Sequence, residues 1–236
     1  MINTTNTNST NSNLDEGHQE QIEVLNRMLT ETIDIASLDF LQIITALSKY
    51  EEEAGREHVS NAVKELQHID TLRQKLQHVI DFQKEILNGE NPYHEYCEDA
   101  NIQDIIGPLL KLNFYQLIAA QDDLTKTVSK VQALITKIKT HLSQAAHEIS
   151  QVAFNNLNRI NDNFRSVTTT LSHLANQYYS SSDLGLSEIS DYFSDRYSML
   201  SERIVLNWCV SSEYESIEEF KKYYSNSDKS ESIELF

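Results

Sequence analysis

The sequence predicts an all-α fold, and three observations carry that expectation. Only 5 of the 236 residues are Gly and 2 are Pro, so the chain lacks the turn residues that a many-stranded sandwich, a dinucleotide-binding fold or a phosphate-cradling loop uses. Apolar residues recur at helical three-and-four spacing over most of the length. From Leu110 onward one apolar position returns every seven residues, through Leu117, Leu124, Val131, Ile138, Ala145 and Val152, which is the seam of a coiled coil. An elongated helical hairpin or coiled coil follows, with extra helices and a flexible C-terminal tail.

Each segment has its own reason. Residues 3–13 are all Asn, Ser or Thr, which bury no apolar surface and compete for their own backbone hydrogen bonds, so residues 1–14 read as a disordered arm. Between Leu14 and Ala54 the apolar residues Ile22, Leu25, Leu29, Ile33, Leu38, Leu41 and Leu47 fit one helix or two shorter ones. Gly55, after three consecutive glutamates, marks a break, and a second helix starts near Arg56. Its apolar line runs through Val59, Ala62, Leu66, Ile69, Leu76, Ile80 and Leu87, broken at Arg73 and Gln83, with Leu72, Val79 and Ile86 widening the stripe. Asn88-Gly89 ends it and Pro92 cannot continue it, which places a loop over residues 88–100.

The seven-residue seam predicts a long helix after Asn101, roughly 60 Å at 1.5 Å per residue, that must pack along another long helix. Beyond Val152 the phase slips, then resumes through Leu157, Ile160, Phe164, Val167, Leu171, Leu174 and Tyr178, so the helix stutters or turns near residues 145–156. Ser180 to Asp183 ends this segment, and Ser187 with Ser190 or Asp191 starts a final helix to about Trp208. Residues 15–209 thus form the helical domain, and residues 210–236 read as a flexible acidic tail with an apolar tip.

Charge and cysteine usage bound the function. With 36 acidic and 19 basic side chains the chain carries 19 − 36 = −17, a surface that repels nucleic-acid phosphates. No run of 18 apolar residues is present to cross a bilayer, and the N-terminus lacks the basic flank and apolar stretch of a signal peptide. Cys97 and Cys209 lie far apart and outside any CxxC spacing, so neither a disulfide framework nor a Cys-rich zinc site is indicated and a cytoplasmic location is expected. Glu65 and His68 form one Glu-x-x-His pair where a di-iron bundle needs two, and His94 with Cys97 is short of a zinc ligand set; no metal is expected. No histidine stands in a phosphotransfer-type segment, and no G-x-S-x-G is present. The segment Tyr197 to Arg203 reads as a helix surface, open to contact with the bundle or a partner.

Asp70 and Gln74 are four apart, one turn above each other on one helical face, roughly 100° to 140° from the middle of the apolar stripe and so facing solvent. A carboxylate and a carboxamide at this spacing hold a cation or lysine with one group and position a water with the other. The segment from Leu66 to Leu76, L-Q-H-I-D-T-L-R-Q-K-L, resembles the active-site helix of the CheZ family of chemotaxis phosphatases. That resemblance implies a homodimer whose helical hairpins pair into a four-helix bundle. It further implies dephosphorylation of a CheY-like response regulator. Asp70 would engage the regulator's active-site lysine and Gln74 would orient the attacking water. The Mg²⁺ involved belongs to the partner, and no cofactor is bound by this chain. The closing segment, with Ile233, Leu235 and Phe236 among Glu231 and Glu234, is similar to the tethered docking tip of that family. One departure stands in the motif: Ile69 precedes Asp70, where the family commonly places a polar residue. Gln121-Asp122-Asp123 offers a second acidic candidate, but Thr127 stands where the amide would be needed, so this reads as a solvated or inter-helix polar site. The same heptads also suit a non-enzymatic coiled-coil scaffold or adaptor.

Overall fold

A computed structural model describes residues 16–48, 56–88, 102–138, 144–179, 187, 190–211 and 216–231. Those residues form seven helices packed together, with no strand among them. Four are long: α1 (Glu16–Ser48), α2 (Arg56–Asn88), α3 (Ile102–Ile138) and α4 (Gln144–Tyr179). The sequence leaves one or two helices open before Ala54; one continuous α1 is found. Helix α2 starts and ends where the Gly55 break and the Asn88-Gly89 stop place it.

The long helices close a ring, in which α1 packs on α2 and α4, and α3 packs on α2 and α4. Each contributes an apolar stripe at three-and-four spacing: Ile22, Leu25 and Leu29 from α1, Leu72, Leu76 and Val79 from α2, and Ile160, Phe164, Val167, Leu171 and Leu174 from α4. The α3 seam therefore finds its partner helices within one chain. Four long helices pack together within one chain, where the family resemblance implies that the hairpins of two copies meet. The apolar line of α1 does not stay buried, however, since Leu38 and Leu41 near its C-terminal end are exposed.

Three short helices complete the fold: α5 (Ser190–Arg196), α6 (Leu200–Ser211) and α7 (Ile217–Glu231). They replace two expectations. The single final helix is instead two, separated at Tyr197–Met199, because the Tyr197 ring is drawn into the core beside Phe82 and Phe193, at ring-centroid distances of 5.7 and 6.0 Å. The seam expected to continue to Val152, with a stutter or turn near residues 145–156, is divided between α3, which ends at Ile138, and α4, which starts at Gln144, slightly earlier than the phase slip suggests.

The region read as a flexible tail from residue 210 also differs. Helix α6 runs to Ser211, and α7 packs on α6 and α3. Its start is a capping box, in which the Ser216 backbone N–H donates to Glu219 Oε2 at 2.9 Å and the Glu219 N–H donates to Ser216 Oγ at 3.2 Å. The Ser216 hydroxyl also donates to Glu219 Oε2, at 3.1 Å, and the bond from the Ser216 N–H together with this one holds the Glu219 carboxyl below its ordinary pKa. One turn on, Phe220 is fully buried against Tyr115 and Trp208, at centroid distances of 4.8 and 5.6 Å. Truncating that ring leaves a cavity, so Phe220→Ala is expected to cost about 3–5 kcal/mol of stability in urea denaturation, with faster hydrogen exchange along α7.

Candidate functional site

Asp70 and Gln74 lie on the outer face of α2, and both are exposed. Ile69, Leu72 and Leu76 anchor the opposite face in the core, which fixes the azimuth of the helix. The Gln74 Nε2 donates to Asp70 Oδ2 at 3.1 Å, so the two side chains already touch. From the same turn the Arg73 guanidinium donates to Asp70 Oδ1 at 3.0 Å through Nε, with an N–O approach of 2.9 Å through its terminal nitrogen. Asp70 and Arg73 are 61% and 55% exposed, so this pair is screened and contributes roughly 0–1 kcal/mol.

One residue further along, Lys75 points inward and is only 2% exposed. Its ammonium donates to Asp123 Oδ2 of α3 at 2.5 Å and to the Tyr224 hydroxyl of α7 at 3.0 Å, while that hydroxyl donates to the same Asp123 oxygen at 2.8 Å. A charged Lys is tolerated there because a carboxylate and a phenol replace its lost hydration. The Gln121 to Asp123 stretch is thus resolved toward an inter-helix polar site: Gln121 also donates to Asn161 of α4 at 3.2 Å.

A second buried pair joins α2 to α6. His78 Nδ1 and Glu202 Oε1 lie 2.6 Å apart, with the carboxylate 1% exposed and the imidazole 33%. Gln116 of α3 donates to the Glu202 backbone carbonyl at 3.1 Å, and the Arg203 Nε donates to the Tyr197 carbonyl at 2.9 Å. The segment from Tyr197 to Arg203, expected as a helix surface, therefore carries a buried polar junction. Alternation is the reason: Tyr197, Glu202, Val205 and Leu206 turn inward while Ser198, Leu200 and Arg203 stay exposed. The hydrogen bond that the His78 ring donates to Glu202 raises the His78 pKa above its ordinary 6.5, against a lowering by burial, with further upward pull from the charges of Glu202 and Asp81 and a lowering by Arg196. Burial, with the Glu202 charge adding to it, pushes the Tyr197 phenol well above its ordinary value.

Of the other residues singled out in the sequence, Ile233, Leu235 and Phe236 lie outside the described residues, as do His94 and Cys97. His68 is exposed on α2. Among the described residues no group of three or more His, Cys, Asp or Glu side chains converges, and no helix is long and apolar enough to cross a membrane. Cys209 is a buried free thiol, pushed up to about 12 by desolvation. No protein-family model matches the chain, and no curated protein or solved structure matches it.

The His78–Glu202 pair links stability to pH. Because the folded state binds the imidazolium proton more tightly than the unfolded chain, its stabilisation is full below pH 6.5 and fades as pH rises through the higher folded value. The urea midpoint of the native protein should accordingly fall between pH 6 and 8. In Glu202→Gln that slope should flatten and the His78 resonance, followed by NMR, should titrate closer to 6.5.

Proposed function

We propose that this chain accelerates dephosphorylation of a CheY-like phospho-aspartate response regulator in the cytoplasm, with the outer face of α2 as its docking surface. The observation that supports this reading is the placement of Asp70 and Gln74, which stand on consecutive turns of a helix anchored from behind, open to solvent and joined by a 3.1 Å hydrogen bond. In this reading the Asp70 carboxylate receives the regulator's active-site lysine. Gln74, released from Asp70, turns its carboxamide to the attacking water and holds the water oxygen in line with phosphorus. The new water–phosphorus bond forms as the bond to the regulator's aspartate breaks, which frees the carboxylate and inorganic phosphate. The Mg²⁺ that balances phosphoryl charge is the regulator's own, so this chain contributes position rather than a cofactor.

The apolar tip Ile233, Leu235 and Phe236 serves in this reading as a second attachment point, connected to the bundle through α7. The homodimer of this reading joins two copies that each carry a ring of four long helices. Two observations favour a rival, a non-enzymatic helical scaffold: the ring of long helices is complete in one chain, and Asp70 already has Arg73 as partner.

The readings separate on one substitution. With a phosphorylated CheY-like regulator and Mg²⁺, the wild type should speed phosphate release and Gln74→Ala should lose roughly a hundredfold or more of that acceleration with regulator binding unchanged. Asp70→Ala should also slow release, and removal of residues 232–236 should weaken binding instead. Full acceleration by Gln74→Ala would sink the catalytic assignment, and no acceleration by the wild type would leave the scaffold.

A further inference from the structure

Between α2 and α3, on a different side of α2 from Asp70 and Gln74, lies a cavity of about 210 Å³. It falls below the roughly 300 Å³ at which pockets for drug-sized ligands begin, so it suits a smaller molecule. Neither Asp70 nor Gln74 lines it. Its floor is apolar, formed by the buried Leu72 and Leu124 with Ile69 beside them. Three lysines, Lys75, Lys126 and Lys130, and one carboxylate, Asp123, line it. With Lys126 paired to Asp122 at 2.7 Å, three lysines stand against two carboxylates there, in a chain whose net charge is −17.

Lys75 makes this more than a surface patch. An ammonium has three N–H donors. Two are taken by Asp123 and Tyr224, and the third has no partner among the described residues although the side chain is 2% exposed. A buried cation with an unspent donor at the edge of a cavity favours an acceptor that carries negative charge. The hydroxyls of Thr71, Thr127 and Ser201 add neutral hydrogen-bonding groups around the same space.

We propose that this cavity binds a small carboxylate with a short alkyl body, its head on Lys75 and its tail over Leu72 and Leu124. Asp123 decides between anion classes. It accepts from the same ammonium at 2.5 Å, so a phosphate dianion placed on Lys75 would stand beside a carboxylate and meet like-charge repulsion that a monoanion halves. The alkyl body is required by the floor, since a free inorganic anion would leave those apolar side chains facing water. The site does not depend on the phosphatase reading. The bound head and Tyr224 would share one ammonium, so occupancy also ties the cavity to the docking of α7.

The test uses the intact chain with ¹³C-labelled butyrate as probe, followed by NMR, beside 1-butanol as the neutral isostere and inorganic phosphate. Saturable butyrate binding is expected, at least tenfold tighter than butanol and tighter than phosphate. Lys75→Met should weaken it at least tenfold. Because that variant also strips Asp123 of its partner and could unfold, the exposed Lys130→Gln is measured alongside and should weaken butyrate several-fold with an unchanged thermal melt. Absence of saturable butyrate binding, butanol binding as tightly as butyrate, phosphate binding tighter than butyrate, or unchanged affinity in Lys130→Gln and in any folded Lys75→Met would each overturn the proposal.

Discussion

Everything in this fold is arranged around the first half of α3. From Ile106 to Ala120 that helix is buried on every side except at Lys111, with Leu109, Leu110, Leu112, Leu117 and Ala119 wholly out of solvent. A helix that is apolar around its circumference cannot lie on the edge of a bundle, because one face of it would always meet water. Helices α2 and α4 cover two sides, and α6 and α7 cover what remains. Past Gln121 the burial narrows to Leu124, Thr127 and Val131, an ordinary stripe, which α7 still reaches through the Tyr224 bond to Asp123. The short helices are therefore a wall of the core. Their aromatic residues supply the area: Trp208, Phe220 and Tyr224 converge near Tyr115, while Tyr192, Phe193 and Tyr197 gather around Phe82.

The same residues explain what was legible beforehand. Stripes with clear three-and-four spacing, such as Ile160 to Leu174, give helices whose buried positions match the pattern residue by residue. The extent of burial around α3 was readable too, in the stretch from Ile105 to Ala120, where Lys111 is the only charged residue and Asn113 and Gln116 the only amides, but the seven-residue seam marks one face and not the circumference. A heptad also carries no record of where a helix stops. Ala145 and Val152 keep the period of α3 although they belong to α4, since residues 139–143 contain neither Gly nor Pro to mark the change. In the C-terminal region the missed signal was local: Ser216-Ile217-Glu218-Glu219 followed by Phe220 has the spacing of a capping box entering an apolar run, and an acidic, Ser-rich composition hid it.

Long-range polar pairs are of a different kind. Nothing in the local pattern distinguishes the buried Lys75 from the exposed Lys84, because burial there depends on the register between α2 and α3. His78 and Glu202 are 124 positions apart and meet only because Tyr197 breaks the chain between α5 and α6. These pairs are costly if either partner is lost, since the remaining charge would stay buried and uncompensated. They therefore act against alternative packings: a one-residue rotation of α6 would leave Glu202 without His78, and a shift of α7 would take Tyr224 from Lys75 and Asp123.

The contrast between the two faces of α2 bears on the proposed chemistry. Its inner face is held by apolar packing and by Lys75, so the helix cannot rotate to present other residues, and Asp70 and Gln74 keep a fixed outward direction. Outside, only weak bonds act. The Arg73 pair with Asp70 is more than half exposed, and the bond from Gln74 to Asp70 competes directly with water. A partner lysine arriving at Asp70 would displace contacts that cost little to break, and Gln74 would be freed in the same step. The rigid backbone and the loosely tethered side chains are thus complementary: the packing supplies position, and the weak outer bonds leave both groups available to an incoming protein.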